Sequence, residues 1–156
     1  MKITEFLCKE ALMSDLNATT KSEVIAEMVQ SLIEAGVIEK KYKNKIIEVL
    51  MAREALGSTA IGQGIAIPHG KSDCTDTLVA ALALSKKGVN FDSLDGELAH
   101  IFFLLVAPVD SAGPHLKALA RVSRLLKDKF FRDSLKNSKT TKEMLELISR
   151  EDVRVN

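Results

Sequence analysis

The amino-acid sequence predicts an α/β fold in which a central β-sheet of a few strands is covered by helices on both faces. The chain has 156 residues, the length of one ordinary domain with a continuous core. Amphipathic helical segments alternate with short apolar runs, which is the pattern of strands packed between helices. No internal repeat, low-complexity tract or Pro/Gly/Ser linker divides the chain.

Two helices are expected in the first third of the chain. Thr20 and Glu23 have the spacing of a capping box, and the apolar residues that follow recur on one helical face. Gly36 suits the C-terminal end of this helix. A second helix is expected over residues 41–55, with Gly57 just beyond its end. Its inward positions are predicted to be Tyr42, Ile46, Ile47 and Leu50.

Two strands buried on both faces are expected in the middle of the chain. Residues 77–84 (TLVAALAL) and 100–107 (HIFFLLVA) are apolar runs bounded by polar or turn-forming residues. Pro108 ends the second run. The loop between the strands is rich in turn-forming residues, and Phe91 and Leu94 are expected to lie beneath it.

Three helices are expected after the second strand. Proline is well tolerated in the first helical turn, so Gly113 and Pro114 predict a helix start. Two shorter helices are expected around residues 128–135 and 141–148. The inward face of the first of the three is predicted to hold Leu116, Leu119, Ala120, Val122 and Leu126. Its solvated face is predicted to hold Lys117, Arg121, Arg124 and Lys127.

The composition argues against several classes of protein. The longest apolar run, residues 101–107, has seven residues, far short of the roughly 20 that cross a bilayer. Charged residues interrupt the N-terminal segment where a signal peptide would be apolar. We therefore expect a cytoplasmic protein without direct membrane insertion. The 22 basic and 21 acidic residues nearly cancel, so no nucleic-acid partner is expected.

The segment 64–72 (GIAIPHGKS) matches a phosphate-binding loop only in part. A P-loop requires G-x-x-x-x-G-K-[ST], but the position of its first glycine is occupied by Ile65. Pro68 also removes one backbone N–H from the cradle. A dinucleotide fingerprint that begins at Gly62 fails because position 67 is Ile67. The candidate metal ligands lack paired spacing, so no metal and no cofactor are expected.

Chemistry at the imidazole of His69 is the remaining interpretation of this segment. Pro68 restrains the backbone before the histidine, and Gly70 leaves room beside it. A neutral imidazole is a competent nucleophile, and phosphoryl transfer needs cations or N–H donors around it. A hydrogen-bonded structural histidine is the alternative, and the residue pattern alone leaves both open. His100, at the start of a strand, is expected to be structural.

Three segments in order resemble one known family. They are residues 59–70 (TAIGQGIAIPHG), 91–96 (FDSLDG) and 115–126 (HLKALARVSRLL). Together they closely resemble the enzyme IIA domains of the bacterial phosphoenolpyruvate-dependent sugar phosphotransferase system, in the branch with the fructose, mannitol and nitrogen-regulatory types. The likeness covers essentially the whole chain and is closest to the fructose type. It implies a mixed central sheet sandwiched between helices, with residues 1–156 as a single domain.

The resemblance implies a phosphocarrier. Phospho-HPr, or its nitrogen paralogue, would donate a phosphoryl group to His69, and a IIB component would accept it for sugar uptake. The alternative is a nitrogen-regulatory protein that acts through phosphorylation-dependent protein binding. A regulatory domain separated from a transcription activator is a weaker third possibility.

The same resemblance implies the roles of three residues. His69 is expected to carry the phosphoryl group, although the sequence does not decide which ring nitrogen holds it. His115 is expected to orient His69 or stabilise the phosphoryl group, since a first helical turn favours anions. Arg53 is expected to stabilise phosphoryl charge. From their residue type, Ser58 and Thr59 are predicted to offer hydroxyl groups to the phosphate, and a turn or cap role is the alternative.

Partner proteins are expected to dock around His69. We expect an apolar surface there, with residues from loops 85–95 and 108–115 on its rim. This expectation concerns location only.

Overall fold

The computed structural model describes residues 1–155, in which six strands form one sheet with helices on both faces. The predicted α/β class is therefore confirmed. The strands are β1 (Leu7–Met13), β2 (Ala60–Gly62), β3 (Ile65–Ala66), β4 (His69–Lys71), β5 (Val79–Val89) and β6 (Ala99–Ala107). The helices are α1 (Lys21–Glu34), α2 (Lys43–Ala55), α3 (Ala112–Leu125), α4 (Lys129–Lys136) and α5 (Thr141–Arg154).

The sheet is mixed, as the resemblance implied. Its strand order is β1-β5-β6-β3-β2, and β4 pairs with β6 beside β3. The β5–β6 and β2–β3 pairs are antiparallel, whereas β1–β5, β3–β6 and β4–β6 are parallel. One edge of β6 is therefore shared by two short strands that follow each other along the chain.

The break between β3 and β4 falls at Pro68. Ile65 pairs with Ile101 and His69 pairs with Leu105, so the chain keeps its direction along β6. Proline has no N–H to give a sheet, but its carbonyl oxygen accepts a hydrogen bond from Leu105 N at 2.9 Å. The backbone that precedes His69 is thus held against β6 despite the interruption.

Two apolar layers cover the two faces of β6. Phe102, Leu104 and Val106 pack with α1 and α2, while Phe103 and Leu105 pack with α3, α4 and α5. Successive strand side chains point to opposite faces, so a continuous apolar run supplies both layers. The two predicted central strands are confirmed, and β5 extends to Val89.

Several local predictions about helix ends are confirmed. The Thr20 hydroxyl accepts a hydrogen bond from Glu23 N at 3.3 Å and caps α1. Gly36 follows α1 with φ of 80°, a conformation that favours glycine. Ile46 and Leu50 are buried on α2.

Within residues 1–155, no helix is long and apolar enough to cross a membrane.

Four side chains lie where the sequence pattern did not place them, and one of these is Ala120 of α3, which is exposed although it was predicted to face inward. Leu94 and Leu116 are 79% and 68% exposed, so neither belongs to the core. On α3, His115 takes the inward position, and Leu116 is turned about 100° away from it. Arg121 was predicted to be solvated, but it is buried and pairs with Asp152 at 2.8 Å.

Strand β1 was not predicted. Its buried residues come in pairs, with two exposed residues between them, and its register with β5 shifts between Leu7 and Leu12. This irregularity hides the alternation by which a half-buried strand is recognised. Helix α5 also runs to Arg154, beyond the predicted end at residue 148.

Candidate active site

His69 is the first residue of β4 and lies opposite Leu105 of β6. Its side chain is half-buried at the edge that β4 shares with β3. Because the Pro68 carbonyl is bonded to Leu105 N, the imidazole projects from backbone that the sheet holds in place.

The hydrogen bond made by the ring determines its tautomer. Nδ1 of His69 lies 2.7 Å from the carbonyl oxygen of Ile67. A carbonyl oxygen can only accept, so Nδ1 carries the hydrogen and donates it. In the neutral ring, Nε2 then holds the lone pair and is the nucleophilic atom. The structure thereby distinguishes the two ring nitrogens of His69, which the sequence does not.

The surroundings of His69 keep its ring neutral. Burial lowers the pKa of His69, and the nearby positive charge of Arg53 lowers it further. The hydrogen bond to Ile67 and the carboxylate of Glu54 oppose this shift without reversing it. The nucleophilic form is therefore the main form at neutral pH.

His115 lies beside His69, as the prediction of a shared site requires. The two ring centroids are 5.5 Å apart, and the ring planes meet at 70°. His115 is only 6% exposed, and its Nε2 is buried with no hydrogen-bond partner among residues 1–155. Burial lowers the pKa of His115, and repulsion from the protonated form of His69 and from Lys71 lowers it further. A buried nitrogen without a partner costs about 1–3 kcal/mol, so a ligand that completes its hydrogen bonding is favoured.

Helix α3 presents its N-terminal end near this pair. His115 lies in the first turn of the helix, and its N–H donates to Ser111 O at 3.0 Å. The Ser111 hydroxyl donates to Pro108 O at 2.7 Å and does not cap the helix. The positive end of the helix dipole therefore remains available to an anion at the histidine pair.

Arg53 stands in the last turn of α2, and its orientation is restrained. Its Nη1 donates to Gly57 O at 2.8 Å. Helix α2 packs closely against β4. A β-carbon on Gly70 would lie only 2.8 Å from Cγ1 of Val49, which belongs to α2. The glycine beside His69 thus permits the approach of the helix that carries Arg53.

The hydroxyl groups of Ser58 and Thr59 already bind protein groups. Ser58 Oγ donates to Phe91 O and accepts from Ala60 N at 3.0 Å. Thr59 donates its hydroxyl to the carboxylate of Glu54, which also accepts from Thr59 N at 3.2 Å. To donate to a phosphate, the Ser58 hydroxyl would have to break its hydrogen bond to Phe91 O, and the Thr59 hydroxyl would have to break its hydrogen bond to Glu54.

Sequence reasoning missed Glu54 and Lys21. The Glu54 side chain is 2% exposed, and its carboxylate lies 3.1 Å from Lys21 Nζ. Lys21 also pairs with Asp92 at 3.1 Å and lies over the ring of Phe91. One signal was available, because a glutamate in the last turn of a helix opposes the helix dipole and needs a compensating partner.

The predicted rim of the site is wrong in part. Val79 pairs with Val106, while Val89 pairs with Ala99 at the other end of β6. The segment 72–78 therefore lies at the end of the sheet that carries His69, and residues 85–89 do not. Three exposed apolar side chains adjoin elements of the site in the chain: Leu56 after α2, Val109 after β6 and Leu116 beside His115.

Within residues 1–155, no group of three or more His, Cys, Asp or Glu side chains is placed to hold a metal ion. The site instead consists of two imidazoles, a guanidinium and an uncapped helix end.

Comparison with known proteins establishes the family. A family model described as "Phosphoenolpyruvate-dependent sugar phosphotransferase system, EIIA 2" matches residues 5–151. The chain belongs to this family, as its resemblance implied. Membership supports a general phosphocarrier role for the chain.

Two relatives carry different functional names. The chain is 37% identical over 97% of its length to the "PTS system fructose-specific EIIABC component" of Bacillus subtilis, of which it spans only 24%. It is 35% identical over 89% of its length to a "Nitrogen regulatory protein" of Bradyrhizobium diazoefficiens, of which it spans 89%.

Solved structures share the fold. Nitrogen regulatory protein IIA-Ntr from Neisseria meningitidis superposes with a TM-score of 0.83 and 29% identity, covering 94% of this chain and 98% of that one. Enzyme IIAMTL from Escherichia coli, solved in complex with phosphorylated enzyme IIBMTL, gives a TM-score of 0.76 at 23% identity. The two coverages in that comparison are 90% of this chain and 95% of the other.

Proposed function

We propose that the chain accepts a phosphoryl group on Nε2 of His69 from phospho-HPr, or from its nitrogen paralogue, and passes it to a IIB component. Residues 1–156 act as one domain in this relay. The observation that carries the proposal is the donation from Nδ1 of His69 to Ile67 O, which leaves Nε2 as the nucleophile. Family membership and the paired histidines support it.

The transfer needs neither a metal nor a general base. The lone pair of Nε2 forms a bond to phosphorus as the bond from phosphorus to the donor nitrogen breaks. The Nδ1 hydrogen stays on the ring, which gains positive charge as the new bond forms. The Ile67 carbonyl stabilises that charge. In onward transfer, a nucleophilic atom of the IIB component forms a bond to phosphorus as the P–N bond breaks, and the electron pair of the P–N bond returns to Nε2.

His115 and Arg53 are proposed to stabilise the phosphoryl oxygens. The unpartnered Nε2 of His115 gains a hydrogen-bond partner when, as the Nε2–H tautomer, it donates to a phosphoryl oxygen. Arg53 contributes a permanent charge that already acts on His69. Ser58 and Thr59 remain proposed phosphate-binding residues, and this role requires an exchange of their present hydrogen bonds.

Sugar uptake of the fructose type is the proposed physiological setting. Support comes from the fructose-specific relative and from the FDSLDG and HLKALARVSRLL segments. The solved complex of IIAMTL with phosphorylated IIBMTL supports a IIB component as the acceptor. Leu56, Val109 and Leu116 are proposed to contact the partners. Regulation by phosphorylation-dependent protein binding is the second candidate, favoured by the nitrogen regulatory relative.

Radiolabelled phosphoenolpyruvate with enzyme I and HPr, or with the nitrogen paralogue of HPr, tests the proposal. We expect acid-labile, base-stable label on the wild type, none on His69→Ala and slower labelling of His115→Ala. A His100→Asn variant is the matched control and should label at the wild-type rate, because His100 lies near the start of β6, five residues before the Leu105 that pairs with His69. If neither donor labels the wild-type chain, the phosphocarrier proposal fails.

Transfer onward separates the two candidate settings. The labelled chain is mixed with fructose-type IIB protein, and the label on each protein is followed. Rapid passage to IIB supports the uptake role. A chain that labels from the nitrogen paralogue but never passes label to IIB contradicts it and favours regulation.

A further inference from the structure

A second cavity lies toward the opposite end of β6 from His69. Its volume is about 420 Å³, and it lies between the β2–β3 turn, the start of β6 and one face of α4. His100 lines it, five residues before the Leu105 that pairs with His69. At the rise of a β-strand, this separation is roughly 17 Å. The cavity is therefore distinct from the proposed phosphocarrier site.

One face of α4 brings an excess of positive charge to the cavity. Lys129, Arg132, Asp133 and Lys136 line it at the spacing of one helical face. Lys129 and Asp133 pair with each other at 2.9 Å. Arg132 and Lys136 therefore remain as two uncompensated cations, and this excess favours an anion.

Arg132 is oriented for an anion before any ligand arrives. Its Nη1 donates to Leu126 O at 2.9 Å and to Lys127 O at 2.8 Å. Nε and Nη2 make no hydrogen bond to any group in residues 1–155. These two donors form one edge of the guanidinium, and that edge matches two oxygens of a phosphate group.

Lys136 adds a second cation on the same side. It is half-buried at the end of α4 and forms no ion pair with any side chain in residues 1–155. Its field reaches into the cavity: the Lys129 hydrogen bond lowers the pKa of Asp133, and the charges of Arg132 and Lys136 lower it further.

His100 supplies an acceptor to the same space. Its Nδ1 lies 2.8 Å from Ser85 O and donates to that carbonyl, so the neutral ring holds its lone pair on Nε2. The ring is held in place from both sides. A β-carbon on Gly88 would lie 2.7 Å from the ring, and one on Gly64 would lie 3.8 Å from it. A ligand hydroxyl can donate to Nε2.

We propose that this cavity binds a small phosphate monoester that carries free hydroxyl groups. Its phosphate binds the open edge of Arg132 and the ammonium group of Lys136, and one hydroxyl donates to Nε2 of His100. The volume suits a ligand of this size. Inorganic phosphate satisfies only the cationic half, and an unphosphorylated sugar satisfies only the imidazole.

Backbone-amide NMR titration of the ¹⁵N-labelled chain tests this proposal. The probes are glycerol 3-phosphate, fructose 6-phosphate, inorganic phosphate and fructose. We expect saturable shifts at Gly64, His100 and Lys136 with the two esters, weaker binding of inorganic phosphate and none of fructose. No phosphoryl donor is present, so the result is separate from the outcome for His69.

Charge variants identify the residues that bind. Lys136→Gln should weaken ester binding at least about tenfold, since it removes a charge-assisted hydrogen bond. Arg132→Lys keeps the charge but loses the two-donor edge, and it should also weaken binding. Lys9→Gln, at an exposed position of β1, removes the same charge elsewhere and should bind as the wild type does.

Three results would overturn the proposal. One is the absence of saturable shifts with either ester. Another is unchanged ester binding by Lys136→Gln, whose fold can be checked by its undisturbed amide spectrum. The third is equal affinity for inorganic phosphate and the esters, which would remove the role of His100.

Discussion

Gly70 lies against Val49 of α2 so closely that a β-carbon at position 70 would stand 2.8 Å from Cγ1 of Val49. This contact connects the strand that starts with His69 to the helix that carries Arg53. The position of His69 relative to Arg53 therefore depends on the absence of a side chain at Gly70.

Replacement of Gly70 by alanine should displace α2 and slow phosphorylation of His69. Overpacking of this kind costs about 1–3 kcal/mol in the free energy of unfolding. Urea unfolding and the rate of label uptake from HPr measure the two effects. Loss of rate without loss of stability would also fit the geometry, whereas wild-type behaviour in both would contradict it.

Two further variants control for this substitution. Val49→Ala together with Gly70→Ala removes the contacting methyl group and should restore part of the lost stability. Gly113→Ala adds a methyl group where nothing lies within 4 Å of the new β-carbon. It should leave stability unchanged or raise it slightly.

The Lys21–Glu54 ion pair should matter more than the shorter Lys45–Asp73 pair. The Lys21–Glu54 side chains are 16% and 2% exposed, whereas those of Lys45–Asp73 are 55% and 66% exposed. Lys21→Met leaves a buried carboxylate uncompensated and should cost about 2–3 kcal/mol in the free energy of unfolding. Lys45→Met should cost less than about 1 kcal/mol.

Chemical denaturation of both variants decides this comparison. Adding Glu54→Gln to Lys21→Met removes the uncompensated charge and should recover part of the loss. Equal costs for the two lysine variants would show that the burial of Glu54 has no energetic weight.

His69 and His115 should make the fold less stable as pH falls. Burial lowers the pKa of His69 and of His115 below the unfolded value near 6.5. Below that pH the unfolded chain binds protons that the native chain does not, so the free energy of unfolding falls. The loss is complete only once pH has passed below the lowered native pKa values.

His115→Asn should flatten this dependence. Each such histidine contributes at most about 1.4 kcal/mol per pH unit, and the variant removes one contribution. Urea unfolding of wild type and variant between pH 7.5 and 5 gives the two slopes. The double variant with His69→Asn should be flatter still, and a steeper slope for His115→Asn would refute the assignment.

Phosphorylation should occur at Nε2 of His69 and not at Nδ1. The hydrogen bond from Nδ1 to Ile67 O keeps Nδ1 protonated and without a free lone pair. NMR of the ¹⁵N-histidine-labelled phosphoprotein identifies the nitrogen coupled to phosphorus. Coupling of phosphorus to Nδ1 would show that the imidazole ring flips before it reacts.

Much of the fold could be predicted because the sequence signals of its helices and strands are local. The cap at Thr20, the turn at Gly36 and the apolar runs of β5 and β6 each depend on residues within a short segment. Strand β1 was missed because its register with β5 is irregular, and that irregularity belongs to the pairing of two distant segments.

The burial of two charged side chains could not be predicted from local sequence either, because it depends on contacts between distant segments. Arg121 was assigned to the solvated face of α3, but it lies on the buried face, where α5 covers it with Asp152. Glu54 is buried because Lys21 and Thr59 meet its carboxylate. A charged side chain can be buried when an opposite charge pairs with it. Asp152 and Lys21, the partners of Arg121 and Glu54, belong to other segments of the chain.

The sequence by itself predicted the α/β class, because hydrophobic periodicity is local, and its resemblance to a known family singled out His69, His115 and Arg53, because the ordered motifs of that family lie along one chain. Only the tertiary structure decided which nitrogen of the neutral His69 ring holds the lone pair, and it alone set the two imidazoles 5.5 Å apart. It also placed His100 in a basic cavity away from both. Those facts depend on strand register and helix packing, which set the distances between segments far apart in the chain.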